Sequence, residues 1–231
     1  MRPVRRPLPT LRLERKLAAS GDVPVAGLDE VGRGALAGPL VAAAVVLPLE
    51  RRQLKRALAG VRDSKQMTGA QRRRWAERVR KVATAAAIGV ATAAEVDAIG
   101  PLAATRLAME RALADLPLAP RHLLLDHIGL PGVLVPQTSI THGDALILSI
   151  AAASIIAKVW RDEVMCAFAE DFPAYGFEHH KGYGTPEHLA ALDLHGPSPI
   201  HRLTFHPMGE AVLMQLALDE SAPVGGDPPI T

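Results

Sequence analysis

Four carboxylates stand where a folded chain would present reactive groups. Asp29 and Glu30 are adjacent at the end of an apolar stretch and run straight into Gly32-Arg33-Gly34. Asp126 closes the run Leu123-Leu124-Leu125, and Asp144 directly precedes a long segment rich in Ala, Ile and Leu. Strand ends in α/β proteins are where a rigid sheet holds catalytic groups. Simpler readings exist for two of the four, since an Asp at a strand end forms turns and Asp144 is placed to cap its helix. The Asp29-Glu30 pair is harder to explain so simply. Two like charges side by side repel, and burial raises the cost unless a proton or a cation neutralises them. Strand neighbours also face opposite ways. Both can serve one centre only if the chain bends at once or if Glu30 offers its carbonyl, and Gly32 and Gly34 supply such a bend. An all-oxygen set favours a hard divalent cation, Mg²⁺ or Mn²⁺, and the chain has no Cys/His set of zinc spacing.

Gly32-x-Gly34-x-x-x-Gly38 resembles a nucleotide fingerprint only superficially. A dinucleotide site needs glycines that follow a strand and open a helix, whereas Pro39 and a strand-like Leu40–Leu47 follow here. The glycines fit close approach of the backbone to a ligand, with Arg33 as a phosphate-matching fork. Tyr183 lies between two glycines and is one of only two tyrosines in the chain; it reads as a half-buried core ring or as a stacking platform. Arg72, Arg73, Arg74, Arg78, Arg80 and Lys81 crowd one segment, which suits a solvated helix face or phosphate contact. Lys158, Arg161, His201 and Arg202 are further basic residues whose case as phosphate contacts rests on the family resemblance set out below.

Alternating strand-like and helix-like segments must position these groups. Strands are predicted at Val23–Asp29, Pro39–Leu47, Ala85–Thr92, Arg121–Asp126 and Gly132–Val135. Helices are predicted from a Thr68-x-x-Gln71 capping box to Lys81, from Pro101 to about Leu116, over Ala145–Ala169, and from Thr185-Pro186 to Gly196. A short helix over Leu11–Gly21 is expected to pack on the outside. Residues 1–10 and the tail from Ser221 are expected to be poorly ordered. The order suggests one α/β domain around a mixed sheet.

Composition agrees. The chain has 231 residues, 48% hydrophobic and 22% charged, which excludes wholesale disorder. A net charge of +2 permits a nucleic-acid partner without arguing for one. The single Cys166 cannot form an intrachain disulfide. No apolar run is long enough to span a bilayer, and the basic start lacks the apolar core of a signal peptide. A soluble, cytoplasmic protein is expected.

The segment GLDEVGRGALAGPLVAAAVVLP (27–48) resembles the signature of ribonuclease HII, the bacterial type 2 ribonuclease H. DSKQMT (63–68), LLLD (123–126), GDALILSIAAASIIAKVWRD (143–162) and HKGYGTPEHLAALDLHGPSPIHRLTF (180–205) agree in order and spacing. The resemblance implies a ribonuclease H-like α/β fold, with a five-stranded mixed sheet flanked by helices and a small helical C-terminal part. The match covers roughly residues 23–207, expected as the ribonuclease H-like catalytic domain. An N-terminal extension with a short helix (1–22) and a terminal helix with a poorly ordered tail (208–231), of which the resemblance says nothing, are expected on either side. The resemblance implies divalent-metal-dependent hydrolysis of the RNA strand of RNA–DNA hybrids. It also implies cutting on the 5′ side of single ribonucleotides embedded in duplex DNA, leaving a 3′-hydroxyl and a 5′-phosphate. By position, Asp29, Glu30, Asp126 and Asp144 match the family's acidic metal-site residues. Gly32, Arg33 and Gly34 match its ribose-reading motif, Tyr183 its junction-stacking tyrosine, and Lys65 a phosphate-contacting lysine. His127-Ile128 and Gly100 depart from the family's usual residues, which puts local packing or substrate contacts in question. The related type HIII enzyme, which would carry an extra N-terminal domain, is not expected. A monomer is expected. Two rivals remain on the sequence alone: a catalytically silent hybrid-binding protein on the same fold, and a dinucleotide-dependent oxidoreductase.

Overall fold

In the computed structural model, residues 8–209 are described. Five strands form one sheet: β1 (Val25–Val31), β2 (Leu40–Val46), β3 (Ala85–Ala91), β4 (His122–Asp126) and β5 (Gln137–Ile140). Their spatial order is β3-β2-β1-β4-β5. The first three strands pair antiparallel as a meander, and β4 and β5 add in parallel beside β1. Helix α1 (Arg12–Ala19) precedes the sheet, and α2 (Leu54–Ala57) and α3 (Gly69–Val82) lie between β2 and β3. Helix α4 (Ala93–Ala114) connects β3 to β4, and α5 (Gly143–Leu146) and α6 (Leu148–Asp171) follow β5. The short α7 (Phe177–His180) and α8 (Pro186–His195) complete the described helices.

Alternation along β2 explains the layering. Val41, Ala43 and Val45 pack with α3 and α6 on one face, while Leu40, Ala42, Ala44 and Val46 pack with α4 on the other. β2 therefore reads as a continuous apolar run buried on both sides. Two glycines let the helices sit close to the sheet. A Cβ on Gly27 would lie 2.4 Å from the Ser149 carbonyl carbon of α6, and one on Gly89 would lie 1.9 Å from the Ala108 oxygen of α4.

Several expectations need correction. The expected strand at Gly132–Val135 is absent. The edge strand is instead Gln137–Ile140, beside which the Pro136 carbonyl accepts from the Leu123 amide and the Thr138 hydroxyl pairs with the His122 ring. Gln137 turns its amide back onto Leu130 and Val133, so the segment before it folds as a loop. The helix expected from Pro101 does start there, after non-helical Gly100, but a helical segment from Ala93 that the sequence did not predict precedes it, and the two together are α4. A second capping box, Thr92 with Glu95, starts it, and Gly100 (φ 77°, ψ 159°) kinks it before Pro101. Helix α1 does not lie wholly outside: its Glu14 is buried and accepts from the Ser149 amide (3.0 Å) and hydroxyl (3.1 Å) at the start of α6. Thr10, within the stretch expected to be loose, bridges to Ile147. Residues 1–7 of that stretch, and the expected terminal helix and tail from residue 210 onward, lie outside the described residues. Among the described residues, no helix is long and apolar enough to cross a membrane.

Candidate active site

Pairing register places the first two carboxylates. Asp29 lies opposite Ala43, which faces α6, so its side chain points to that face; Glu30 lies opposite Ala42, on the α4 face. Asp126 ends β4 one residue beyond Leu125, the partner of Leu28, and shares the α6 face with Leu124. Asp144 arrives from α5, where His142 takes a left-handed conformation (φ 58°) and the Gly143 amide donates to Asp126 Oδ1 at 2.8 Å. Asp29, Asp126 and Asp144 thereby bring one carboxylate oxygen each within 4.8 Å of one another.

Asp144 is not the cap of the long helix. Ile147 holds that position, and Asp144 sits inside its own short helical turn. The capping explanation for this residue is thus removed. Glu30 stands outside the triad, as alternation demands, at the point where the chain leaves the sheet. Its Oε2 is buried without a hydrogen-bond partner, and its Oε1 lies 3.6 Å from Arg33.

The site is electrostatically strained. Burial, then the charges of Glu30 and Asp126, push the Asp29 carboxyl well above the usual range. Burial also raises Glu30, partly offset by Arg33, and raises Asp144, helped by Asp126 and Asp63. Burial pulls the Lys65 ammonium down, but Asp144, Asp29 and Asp63 outweigh it and leave its pKa raised. Lys65 reaches Asp144 at 3.6 Å from an exposed position. Carboxyls raised in the folded state bind protons more tightly than they do in the unfolded chain. Metal-free stability therefore falls as pH rises from the ordinary carboxylate range through the raised values. In EDTA, Asp29→Asn is expected to melt above wild type at pH 8, by about 2–4 °C per kcal/mol of relieved repulsion. Near pH 4 the advantage disappears, and equal melting at both pH values would refute the repulsion.

Sequence reasoning assigned no role at this site to Ser154, Ser64 or Asp63, and read Arg72 only as part of a basic segment. Ser154 of α6 hydrogen-bonds toward Asp29, and its hydroxyl lies 2.9 Å from that of Ser64. Asp63 caps the 3-10 turn Ser64–Gln66, accepting from the Lys65 amide at 2.9 Å, and so sets the exit of Lys65. Arg72 anchors the same turn through the carbonyls of Ser64 (3.1 Å) and Met67 (2.6 Å). A hydroxyl set among the apolar residues of a long helix was the one available clue to Ser154.

Three loops form the floor beside the carboxylates. Gly182 C=O accepts from the Leu36 (2.8 Å) and Ala37 (3.2 Å) amides, and the Arg202 amide donates to Leu36 C=O. The segments around Gly32-Arg33-Gly34, Tyr183 and His201 are therefore one hydrogen-bonded unit. Arg161 and Arg202, expected to contact phosphate, are instead fully buried. Arg161 donates to the carbonyls of Pro39, Lys181 and Ala37, and Arg202 to those of Gly38 and Arg33. His201 is buried too, and Lys158 pairs with Asp162 at 2.7 Å. Tyr183 is half-buried, with Arg161 at 5.4 Å and Lys158 at 5.6 Å from its ring centroid. No helix follows Gly34, which removes the dinucleotide reading.

Comparison with known proteins agrees with this architecture. The fold is ribonuclease H-like. The ribonuclease H2 of Pyrococcus horikoshii OT3 matches with a TM-score of 0.67 and 26% identity, over 80% of this chain and 95% of that one. The family model for ribonuclease HII matches residues 26–208. Ribonuclease HII of Chloroflexus aurantiacus is 50% identical over 206 residues, covering 89% of this chain and 97% of the relative. That of Synechococcus sp. (strain JA-3-3Ab) is 52% identical over 200 residues, covering 87% and 89%. The chain belongs to the ribonuclease HII family. It is an endoribonuclease that hydrolyses the RNA strand of RNA–DNA hybrids.

Proposed function

We propose that Asp29, Asp126 and Asp144, joined by Glu30, hold divalent cations for phosphodiester hydrolysis. The observation that carries this is the convergence of three carboxylate oxygens within 4.8 Å, on groups whose charges repel. Such a set is costly unless positive charge completes it. The unpartnered Glu30 Oε2 is a further buried acceptor awaiting a donor or a cation. Oxygen-only ligands suit Mg²⁺ or Mn²⁺. When bound, such ions activate a water as nucleophile and neutralise the leaving 3′-oxygen.

The chain's own groups do the positioning. Asp29 is held by Ser154 and accepts from the Glu30 amide at 2.8 Å. Asp126 is fixed by the Gly143 amide. Lys65, exposed above Asp144, is placed to meet a substrate phosphate, and Arg33 projects from the rim. Gly32-Arg33-Gly34 offers backbone groups to the 2′-hydroxyl, the feature that separates RNA from DNA. Tyr183 presents its ring to the sugar at the RNA–DNA junction, with Arg161 and Lys158 beside it.

The decisive assay uses a DNA duplex with one embedded ribonucleotide, incubated with Mg²⁺, Mn²⁺ or EDTA and mapped at nucleotide resolution. A metal-dependent cut on the 5′ side of the ribonucleotide is expected. Cleavage of a long hybrid alone would overturn the roles given to Tyr183 and the glycine turn. Silence on both substrates from folded protein would leave hybrid binding without catalysis. Tyr183→Ala is expected to lose about tenfold more activity, about 1.4 kcal/mol, on the embedded ribonucleotide than on a long hybrid. Equal losses would remove its junction role.

A further inference from the structure

We propose that His188 and His201 are positioning residues for Tyr183, joined in a hydrogen-bonded chain of fixed polarity that runs from Ser198 to the Tyr183 carbonyl; this rests on the junction role proposed above for Tyr183.

Both ends of the chain dictate where the protons sit. The Ser198 amide donates to His201 Nδ1 at 2.8 Å, so that nitrogen is an acceptor and the neutral ring carries its proton on Nε2. At the other end, His188 Nδ1 lies 3.0 Å from the Tyr183 carbonyl oxygen, which can only accept, so His188 carries its proton on Nδ1. His188 Nε2 is then an acceptor and faces His201 Nε2, the donor, at 2.9 Å. No other tautomer pair satisfies all three contacts. Protonating either ring would set two N–H groups against each other or against the Ser198 amide. The fold opposes that: burial first, then neighbouring histidines, push His201 down to about 4, and burial lowers His188. His188 is fully buried and His201 nearly so.

The chain ends on the backbone that aims the tyrosine. Lys181 (φ 54°) and Gly182 (φ 79°) are both left-handed, so the approach to Tyr183 is a sharp turn that needs external ties. Lys181 C=O is held by Arg161 at 2.9 Å, and Gly182 C=O by Leu36 and Ala37. Tyr183 C=O receives His188 and the Thr185 amide at 2.8 Å. With the peptide planes on both sides of Tyr183 held, its Cα–Cβ direction is set, and so is the presentation of its ring. His180 closes the turn from below. Its Nε2 donates to Tyr175 C=O at 2.7 Å, its Nδ1 accepts from the Gly182 amide at 3.2 Å, and its ring stacks on His188 with centroids 4.3 Å apart.

The test compares two replacements of His188 in the full chain. His188→Asn keeps a side-chain N–H near the Tyr183 carbonyl, whereas His188→Leu removes it. His188→Leu is expected to lower cleavage of the embedded ribonucleotide about tenfold more than cleavage of a long hybrid. His188→Asn is expected to bring that ratio back to within about threefold of wild type. Equal losses from His188→Leu on both substrates, with Tyr183→Ala still selective, would overturn the proposal. A non-selective Tyr183→Ala would instead overturn the junction reading beneath it. Should His188→Leu fail to fold, long-range ¹H–¹⁵N spectra of the wild-type protein decide. His188 protonated on Nδ1 and His201 on Nε2 are expected, and the opposite assignment for either ring would overturn the chain.

Discussion

Asp29→Asn and Asp126→Asn are each expected to reduce cleavage of an embedded ribonucleotide by about a thousandfold or more. Binding of the same duplex should change by less than about threefold, since neither residue is placed to touch the nucleic acid except through bound cations. The argument is electrostatic. An asparagine keeps the shape of the side chain and its contacts: an oxygen at position 29 still accepts from the Glu30 amide, and one at 126 still accepts from Gly143. What is lost is one negative charge out of a cluster whose oxygens lie within 4.8 Å. Losing one anionic ligand weakens the hold on cations that are worth several kcal/mol in the transition state, and each 1.4 kcal/mol is about tenfold in rate. Gel-resolved cleavage in Mg²⁺, set beside fluorescence anisotropy in Ca²⁺ or EDTA, separates the two effects. Turnover near wild type from either variant would remove these residues from the chemistry.

Much of this site was legible because it depends on local chemistry. Asp29, Glu30 and Asp126 are strand-end carboxylates, and the alternation rule already required Glu30 to diverge from Asp29; the register across β2 places them on opposite faces. The Thr68 capping box and the Thr185-Pro186 helix start formed as their side-chain chemistry dictates. What escaped depends on contacts distant in sequence. Gln137–Ile140 is short, polar and only half-buried, so it lacks the apolar signal of a strand and exists because β4 offers it an edge. Arg161 and Arg202 carry charges that ordinarily mark a surface. They are buried because six hydrogen bonds to backbone carbonyls replace water, an arrangement that only the folded loops create. Asp144 was placed correctly beside the long helix, but the left-handed His142 inserts a separate turn that aims it at Asp126 rather than at the helix end.

The two glycines of the turn, alike in sequence, are expected to respond oppositely to substitution. Gly32 has φ +87°, and a Cβ there would lie 2.2 Å from Arg161 Nε. An alanine would incur about 1–2 kcal/mol of left-handed strain. It would also displace a buried guanidinium that ties α6 to two loops through the Ala37, Pro39 and Lys181 carbonyls, and disrupting such a network costs about 3 kcal/mol or more. Gly32→Ala should therefore lower Tm by roughly 8–20 °C. Gly34 has no positive φ, and a Cβ there meets nothing within 4 Å. Gly34→Ala should keep stability within about 0.5 kcal/mol. If the turn receives the ribose closely, the open space above Gly34 is where the added methyl would collide with substrate. Cleavage of the embedded ribonucleotide should then fall by about tenfold or more. Thermal melts and initial rates on both variants check the pair. Wild-type melting of Gly32→Ala would refute the buried-arginine account. A wild-type rate from Gly34→Ala would show that the substrate does not approach this turn. Close backbone approach thus serves two ends within three residues: Gly32 admits a side chain of the protein itself, and Gly34 leaves room for the nucleic acid.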